Sequence, residues 1–413
     1  MGMFLSLTPL STERQDDNLT AELRQMYAAE KLDNFRWISK IVATYSPYTL
    51  TATDRAPVSL YHALADLGER FIYSKSYSQL YILNFIAGQF AEVAYSAVPV
   101  EFLFGHFPLL RQPGYPLETY EALHNTVFVA SFRGTSSSLP IFIVYRPILC
   151  QLVVAVSGTS SIKHALQDLR VLRCSHPSGH GTVHTGFWNL YQDIKAQAIT
   201  EIEKGIADHP VREVVLTGHS MGGSIAYLLC LDLLADHHMW LKNLNINIKM
   251  AVFGSPRAGD VALVEYFREL SASYQKTHVQ GQDAFEEYSV KGYNDGKTIY
   301  PASRCIFSVM TISTTGVPAL PPAGLGYRHF CKKPLYTAGG ILYNTPATES
   351  EHSLFHVIDD SKGPALLFPF GGHNYYNGRD LERFLRRLSW LSEAKPMEEG
   401  WENRYLAIVS KLK

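Results

Sequence analysis

Residues 213–223 read EVVLTGHSMGG. Glu213 to Leu216 has the composition of a buried strand. Gly218-His219-Ser220-Met221-Gly222 fits G-x-S-x-G, and the run SIAYLLCLDLL from Ser224 is helix-forming. A lone G-x-S-x-G is common by chance. Set between a strand and a helix, it predicts a nucleophile elbow, a sharp turn that lifts a serine hydroxyl clear of the sheet. Gly218, Gly222 and Gly223 stand where a Cβ would strike the neighbouring strand and helix. Ser220 then sits at a helix N-terminus, whose dipole favours developing negative charge.

Other strand signals flank this one. Thr126 to Phe132 (TVFVASF) and Ile141 to Tyr145 (IFIVY) predict a hairpin. Leu152 to Val156 (LVVAV) predicts a strand ending in Ser157-Gly158-Thr159, and Ile248 to Phe253 and Cys305 to Met310 predict two more. Helical patterns lie at Phe187–Ile206, Ser224–Leu234 and Val261–Leu270, with a closing amphipathic helix over Arg379–Leu391. Strands alternating with helices predict an α/β fold, a mostly parallel central sheet with helices on both faces. Ligands in such sheets bind beyond the carboxyl ends of the strands. Gln275 to Thr298 is polar and predicts a long surface insertion. Leu19 to about Tyr45 predicts a helix closed by Ser46-Pro47, and a second helical stretch runs from about Ser59 to Tyr95. The expected organisation is an N-terminal helical extension, residues 1–55, ahead of one large domain over residues 56–413.

Composition bounds the partners. Apolar residues make up 46% of the 413 and charged residues 18%, ample material for a core. The net charge of −1 and the lack of any Lys/Arg run argue against nucleic acid as a partner. Five cysteines, an odd number with no C-x-x-C, predict reduced thiols and no metal centre. Arg146-Pro147 splits the most apolar stretch, Pro140 to Gly158, into runs shorter than the roughly 20 residues that span a bilayer. The first residues lack the basic start of a secretory leader. A cytoplasmic location is expected, with secretion left open, and no cofactor is implied.

A serine nucleophile needs a base, an acid that orients the base, and donors for an oxyanion. In chain order the base comes last. Of the late histidines His329, His352, His356 and His373, the last lies in a Gly-flanked loop just before the closing helix, the placement of a loop-borne base. His352 and His356 are four apart, without an evident third metal ligand. Met221, the residue after the nucleophile, offers one oxyanion donor through its backbone N–H. Thr159, following the Leu152–Val156 strand, offers the second. Residues 161–172 (SIKHALQDLRVL) form an amphipathic pattern beside that loop, the pattern of a mobile lid.

These segments resemble the class 3 (fungal-type) lipases of the α/β-hydrolase superfamily, in order, over roughly Leu152 to Leu391. VAVSGTSSIKHALQDL resembles that family's oxyanion loop and lid, VHTGFWNLYQDI its V-H-x-G-F segment, and VVLTGHSMGGSIAYLL its elbow. AVFGSPRAGD is similar to its F-G-x-P-R-x-G turn, GVPALPP to its V-P-x-L-P-P segment, and His373 with Tyr376 to its H-x-x-Y. The resemblance implies an α/β-hydrolase fold and a serine carboxylic-ester hydrolase. Its substrates would be lipid esters of tri- or diacylglycerol type, cleaved through an acyl-enzyme on Ser220. The chain departs at one place. The family's acid stands two residues before the Val of V-P-x-L-P-P, and here that residue is Thr315. Asp260, Asp359 and Asp360 are the candidates for the acid. The alternative is a catalytically weakened pseudo-enzyme that binds lipid or a partner.

Overall fold

The computed structural model describes residues 45–57, 87–158, 172–292, 317–338, 341–358 and 381–411. Among these the strands are β1 (Tyr45–Leu50), β2 (Val127–Arg133), β3 (Pro140–Arg146), β4 (Gln151–Val156), β5 (Arg173–Ser175), β6 (Thr182–His184), β7 (Glu213–His219), β8 (Asn247–Phe253), β9 (Phe285–Gly292), β10 (Leu335–Ala338), β11 (Ile341–Asn344) and β12 (Leu354–Val357). The helices are α1 (Ala87–Val93), α2 (Val100–Gly105), α3 (Phe107–Leu110), α4 (Thr185–Asp208), α5 (Met221–Asp236), α6 (His238–Asn243), α7 (Val261–Thr277), α8 (Leu381–Glu393) and α9 (Trp401–Ser410).

The central sheet runs in the order β11-β10-β9-β8-β7-β4-β3-β2. Its heart, β4, β7, β8, β9 and β10, is parallel, while β2-β3-β4 and β10-β11 pair antiparallel. The expected hairpin is β2-β3. The parallel strands are joined through α4, α5 and α7, as βαβ connections require. Side chains alternate across each strand. Leu152, Val154 and Val156 of β4 enter a core with Phe187 and Tyr191 of α4, most of α5, and Phe267 of α7. Val153 and Ala155 face the other way, into a core with Phe90 of α1, Phe102 of α2, Leu388 of α8 and Tyr405 of α9. Apolar burial on both faces is why these strands read as continuous hydrophobic runs. From Met221 to Leu234 every residue of α5 is buried, so that helix carries no polar stripe.

Two expectations are corrected. The polar stretch from Gln275 is not a surface insertion. Its first residues finish α7, and Phe285–Gly292 is an inner strand of the sheet. Its charges are matched by neighbouring elements. Glu286 pairs with Lys249 at 3.1 Å, the Tyr227 hydroxyl donates to Glu287 at 2.7 Å, and Lys291 donates to the carbonyls of Ser350 at 2.5 Å and His352 at 3.0 Å. Satisfied polar groups can lie in an inner strand, and their partners are distant in sequence. Residues 293–298 lie outside the described residues, as does the strand expected at Cys305–Met310.

The second correction concerns the N-terminal side. Residues up to 44, and so the helix expected from Leu19, lie outside the described residues. Ser46-Pro47, expected to close that helix, lies within strand β1, which pairs in parallel with β12. Leu50 packs with Tyr336, Tyr343 and Phe355, and the Ala56 N–H donates to the Leu342 carbonyl at 2.9 Å. Residues on both sides of the expected 55/56 boundary therefore pack on the β10-β11 edge. Of the helical stretch expected over 59–95, α1 is the described part. Helix α9 was not legible in the sequence; Trp401 meets Phe102 edge-on and Tyr405 stacks on Tyr115.

Candidate active site

Strand β7 delivers Ser220 at its carboxyl end, and α5 starts at the next residue. The Ser220 backbone has φ 58° and ψ −133°, a positive φ on a residue with a Cβ. Such backbone strain costs on the order of 1–3 kcal/mol and persists only where the surroundings enforce it. Here the Ser220 N–H donates to the Phe253 carbonyl of β8 at 2.8 Å, and the Ser220 carbonyl accepts from the Gly223 N–H at 3.0 Å. The turn closes only because atoms are missing from it. A Cβ on Gly218 would come within 2.4 Å of the Gly222 backbone, and one on Gly222 within 2.3 Å of the Val156 carbonyl oxygen of β4. Ser220 is half-buried in surroundings that are otherwise buried, at the N-terminus of a 16-residue helix. A hydroxyl held there is aimed at whatever lies beyond the sheet edge, and the helix end favours negative charge at that point.

Beside the elbow runs the end of β4. Register pairs Val156 with Gly218, so Ser157 and Gly158 continue alongside His219. Gly158 is pressed so closely that a Cβ there would fall 2.7 Å from the His219 carbonyl oxygen and 1.9 Å from the Tyr95 hydroxyl. Thr159, the expected second oxyanion donor, is the next residue and lies outside the described residues. Met221 is the first residue of α5 and is buried.

Tyr95 was not singled out in the sequence, because nothing in the spacing around it marks it. It follows α1, and its hydroxyl reaches His219 Nδ1 at 2.8 Å and the His219 carbonyl at 3.3 Å. Burial, with Glu92 nearby, holds this phenol well above its ordinary pKa, so it stays protonated.

After β8 the chain turns through Gly254-Ser255-Pro256-Arg257. Arg257 is buried and works as a clamp. It donates to the carbonyls of Ala319 and, at 3.0 Å, Pro321, and through Nε to the Glu351 carboxylate at 2.6 Å. The other Glu351 oxygen accepts from the His329 N–H at 3.0 Å. His329 is fully enclosed; burial first, then Lys291 and Arg257, pushes its pKa well below the usual histidine range, so it is held neutral.

Asp260 is the N-cap of α7. One carboxylate oxygen accepts from the Leu263 N–H at 3.0 Å, and the other from the N–H and hydroxyl of Thr182 at 2.9 and 2.6 Å. His184 caps α4 in the same manner, accepting from the Phe187 N–H at 3.3 Å. His352 lies 3.4 Å from Glu349, and among the described residues no group of three or more His, Cys, Asp or Glu is gathered for a metal. His373, Thr315, Asp359 and Asp360 lie outside the described residues, as does the expected lid but for Leu172. That last residue is exposed, while its carbonyl accepts from the Thr185 N–H at 2.8 Å and the Tyr327 hydroxyl at 3.3 Å. No helix among the described residues is long and apolar enough to cross a membrane.

Comparison with known proteins agrees with this architecture. Residues 153–285 match the family model described as Lipase (class 3). The chain is similar to a lipase of Rhizomucor miehei, 31% identical over 146 residues, which is 35% of this chain and 36% of that one. It is also similar to secreted mono- and diacylglycerol lipase A of Penicillium cyclopium, 26% identical over 127 residues, 30% of this chain and 39% of that one. The matched stretch thus spans less than half the length of either relative. The crystal structure of a lipase from Rhizopus microsporus var. chinensis has the same fold, with a TM-score of 0.51 at 15% identity, covering 82% of this chain and 94% of that one. The cytoplasmic location expected from the sequence is overturned by the Penicillium relative, which is named as secreted. A near-neutral globular composition serves equally inside and outside a cell, so it carried no information on location. The family match over 153–285 covers the strand–elbow–helix unit and the β8 turn, so this stretch is similar to the class 3 lipases and the chain has an α/β-hydrolase fold.

Proposed function

We propose that the chain hydrolyses carboxylic esters of lipids, of tri- or diacylglycerol type, through an acyl-enzyme on Ser220. The observation that carries this is the Ser220 backbone itself, held at φ 58° between the end of β7 and the start of α5. Natural folds keep strain of this kind where it positions a reacting group. In the proposed reaction His373 takes the proton from Ser220 Oγ as the oxygen attacks the ester carbonyl carbon. The carbonyl oxygen becomes an oxyanion, held by the backbone N–H groups of Met221 and Thr159. His373 then returns the proton to the departing alcohol, leaving the acyl group on Ser220. Water, deprotonated by the same histidine, repeats the attack and releases the acid. The lid over residues 161–172 supplies transient contact with a lipid surface, and no cofactor takes part.

The orienting acid is assigned among Asp359 and Asp360 in preference to Asp260, whose two carboxylate oxygens already serve Thr182 and Leu263. A second reading is favoured by one residue. Thr315 stands where the family's acid stands, and a threonine cannot balance an imidazolium. A triad without its acid loses about 10⁴-fold in rate, which would leave a lipid-binding protein with little turnover.

A fluorophosphonate probe tests the first reading. It is expected to label the wild-type chain at Ser220 and to leave Ser220→Ala unlabelled. A folded wild-type chain that takes up no probe would overturn the proposal. Labelling with slow turnover that rises steeply in Thr315→Asp would select the second.

A further inference from the structure

The hydroxyl of Tyr95 touches two strips of backbone that meet at the reacting serine. It reaches the ring and carbonyl of His219, the residue before Ser220, at 2.8 and 3.3 Å. It also fills the space over Gly158, where a Cβ would lie 1.9 Å from it. Gly158 is the residue before Thr159. The described residues this hydroxyl touches, His219 and Gly158, stand in sequence two residues before Met221 and one before Thr159, the two expected oxyanion donors. Tyr95 is itself fixed. It is 8% exposed, and the α1 helix before it packs Phe90, Ala91 and Val93 in the core on that face of the sheet.

The proton count is restrictive. A phenol has one hydrogen and two lone pairs. Both contacts to His219 are satisfied when the hydroxyl donates to the His219 carbonyl and the ring Nδ1–H donates to the phenol oxygen. In that arrangement the His219 ring carries a proton on Nδ1, and the residue is held through its ring and its carbonyl. The burial that keeps the phenol protonated also keeps the donor in place.

We propose that Tyr95 is a positioning residue for the reaction at Ser220, its hydroxyl holding the His219 turn and the Gly158 loop at a fixed separation. Tyr95 acts this way only if Ser220 is the nucleophile of an ester hydrolase, the reading on which this rests. An oxyanion pocket works because its donors are already in place when the charge develops, and its donors must sit within hydrogen-bond distance of where the oxygen will be. A displacement of about 1 Å between reacting groups can cost on the order of 10²-fold in rate. Beside Gly158 the hydroxyl and the ring carbon Cζ both fill space, whereas toward His219 the hydroxyl makes the bonds. The two roles are therefore separable by removing one atom.

The test uses the full chain, with p-nitrophenyl butyrate as a soluble ester and the fluorophosphonate probe to count competent sites. Tyr95→Phe is expected to lower kcat per labelled site by about 10- to 100-fold, with KM within about twofold of wild type. A merely structural hydroxyl would reduce the number of labelled sites and leave kcat per site unchanged, and that result overturns the proposal. His219→Gln, which keeps a side-chain donor for the phenol oxygen, is expected to retain more of kcat than His219→Leu. In the Tyr95→Phe background the two His219 variants should be equal. If they differ there by as much as in the presence of the hydroxyl, the tie is not the cause. These His219 variants also decide the matter should Tyr95→Phe fail to fold. A wild-type chain that the probe does not label refutes the ester-hydrolase reading. A labelled wild type with an unaltered Tyr95→Phe refutes only the role of Tyr95.

Discussion

The carboxyl edge of the sheet is closed in two different ways on either side of β8. Around Ser220 the chain closes by leaving atoms out. Gly218, Gly222 and Gly158 let backbones touch where a single Cβ would collide. Past β8 it closes by burying charge. Arg257, 3% exposed, reaches Glu351 and the carbonyls of Ala319 and Pro321, with His329 and Lys291 close by. The first device is rigid and local, and makes a strained residue possible. The second ties the β8 turn to segments 62–94 residues further along the chain. It depends on every polar group having its partner, because a buried charge left alone is costly.

Breaking the charged clamp should have the larger effect. Arg257→Ala takes the donor away from the carbonyls of Ala319, Pro321 and Glu351 and leaves the Glu351 carboxylate with the His329 N–H; it is expected to lower stability by about 3–5 kcal/mol, read by urea denaturation. Replacing both partners, as Arg257→Met with Glu351→Leu, should cost less than Arg257→Ala alone. If the double variant is the worse of the two, the pair contributes more than mutual satisfaction. At the elbow, Gly222→Ala places a Cβ against the Val156 carbonyl. Overpacking of this kind costs about 1–3 kcal/mol. The distinguishing outcome is that probe labelling of Ser220 should be lost while the chain still melts cooperatively. Retained labelling would mean that the β4 end yields easily and that the glycine is not what holds the turn.

A third clasp sharpens the comparison, because it is polar and near the surface. Asp193 of α4 accepts from the backbone N–H groups of Ser136 and Ser137 and from the hydroxyls of Ser137 and Thr135, in the loop joining β2 to β3. Those bonds, the Ser137 hydroxyl first, lower its pKa to about 2. A folded-state pKa below the unfolded value of about 3.9 gives a contribution present above that unfolded value. It is lost as pH falls through the folded one. Wild type should therefore lose stability between about pH 4 and pH 2 more steeply than Asp193→Asn, in acid unfolding followed by circular dichroism. The effect should be the smallest of the three, since solvent screens a clasp that it reaches. Parallel acid curves for the two proteins would remove Asp193 from the account.

Much of this molecule was legible wherever the code is local. The hairpin β2-β3, the strands β4, β7 and β8, and the helices α4, α5, α7 and α8 all follow from runs of a few residues with a clear period. The elbow was legible for the same reason, since strand, glycines, serine and helix lie within about twenty consecutive residues. Strand β9 was misread because Glu286, Glu287 and Lys291 look like surface residues until Lys249, Tyr227 and the Ser350 carbonyl are brought to them. Strand β1 was misread because its partner β12 lies some 300 residues away. Asp260 could be read as a catalytic candidate from its place in a motif, but its work as a cap is visible only with Thr182 beside it, 78 residues earlier in the chain.

By itself the sequence determined that this chain has an α/β sheet, that Ser220 stands on a strand-to-helix turn, and that a strand running into Ser157-Gly158-Thr159 precedes it. Periodicity and glycine spacing carry such information, because each acts through neighbours in the chain. Only the tertiary structure decided what surrounds that serine. Tyr95 reaches His219, the residue before it, from 124 residues earlier, and beyond β8 Glu351 answers Arg257 from 94 residues later. Both contacts depend on hydrogen bonds between groups that carry no pattern of their own, and they acquire a role only when packing excludes water from around them.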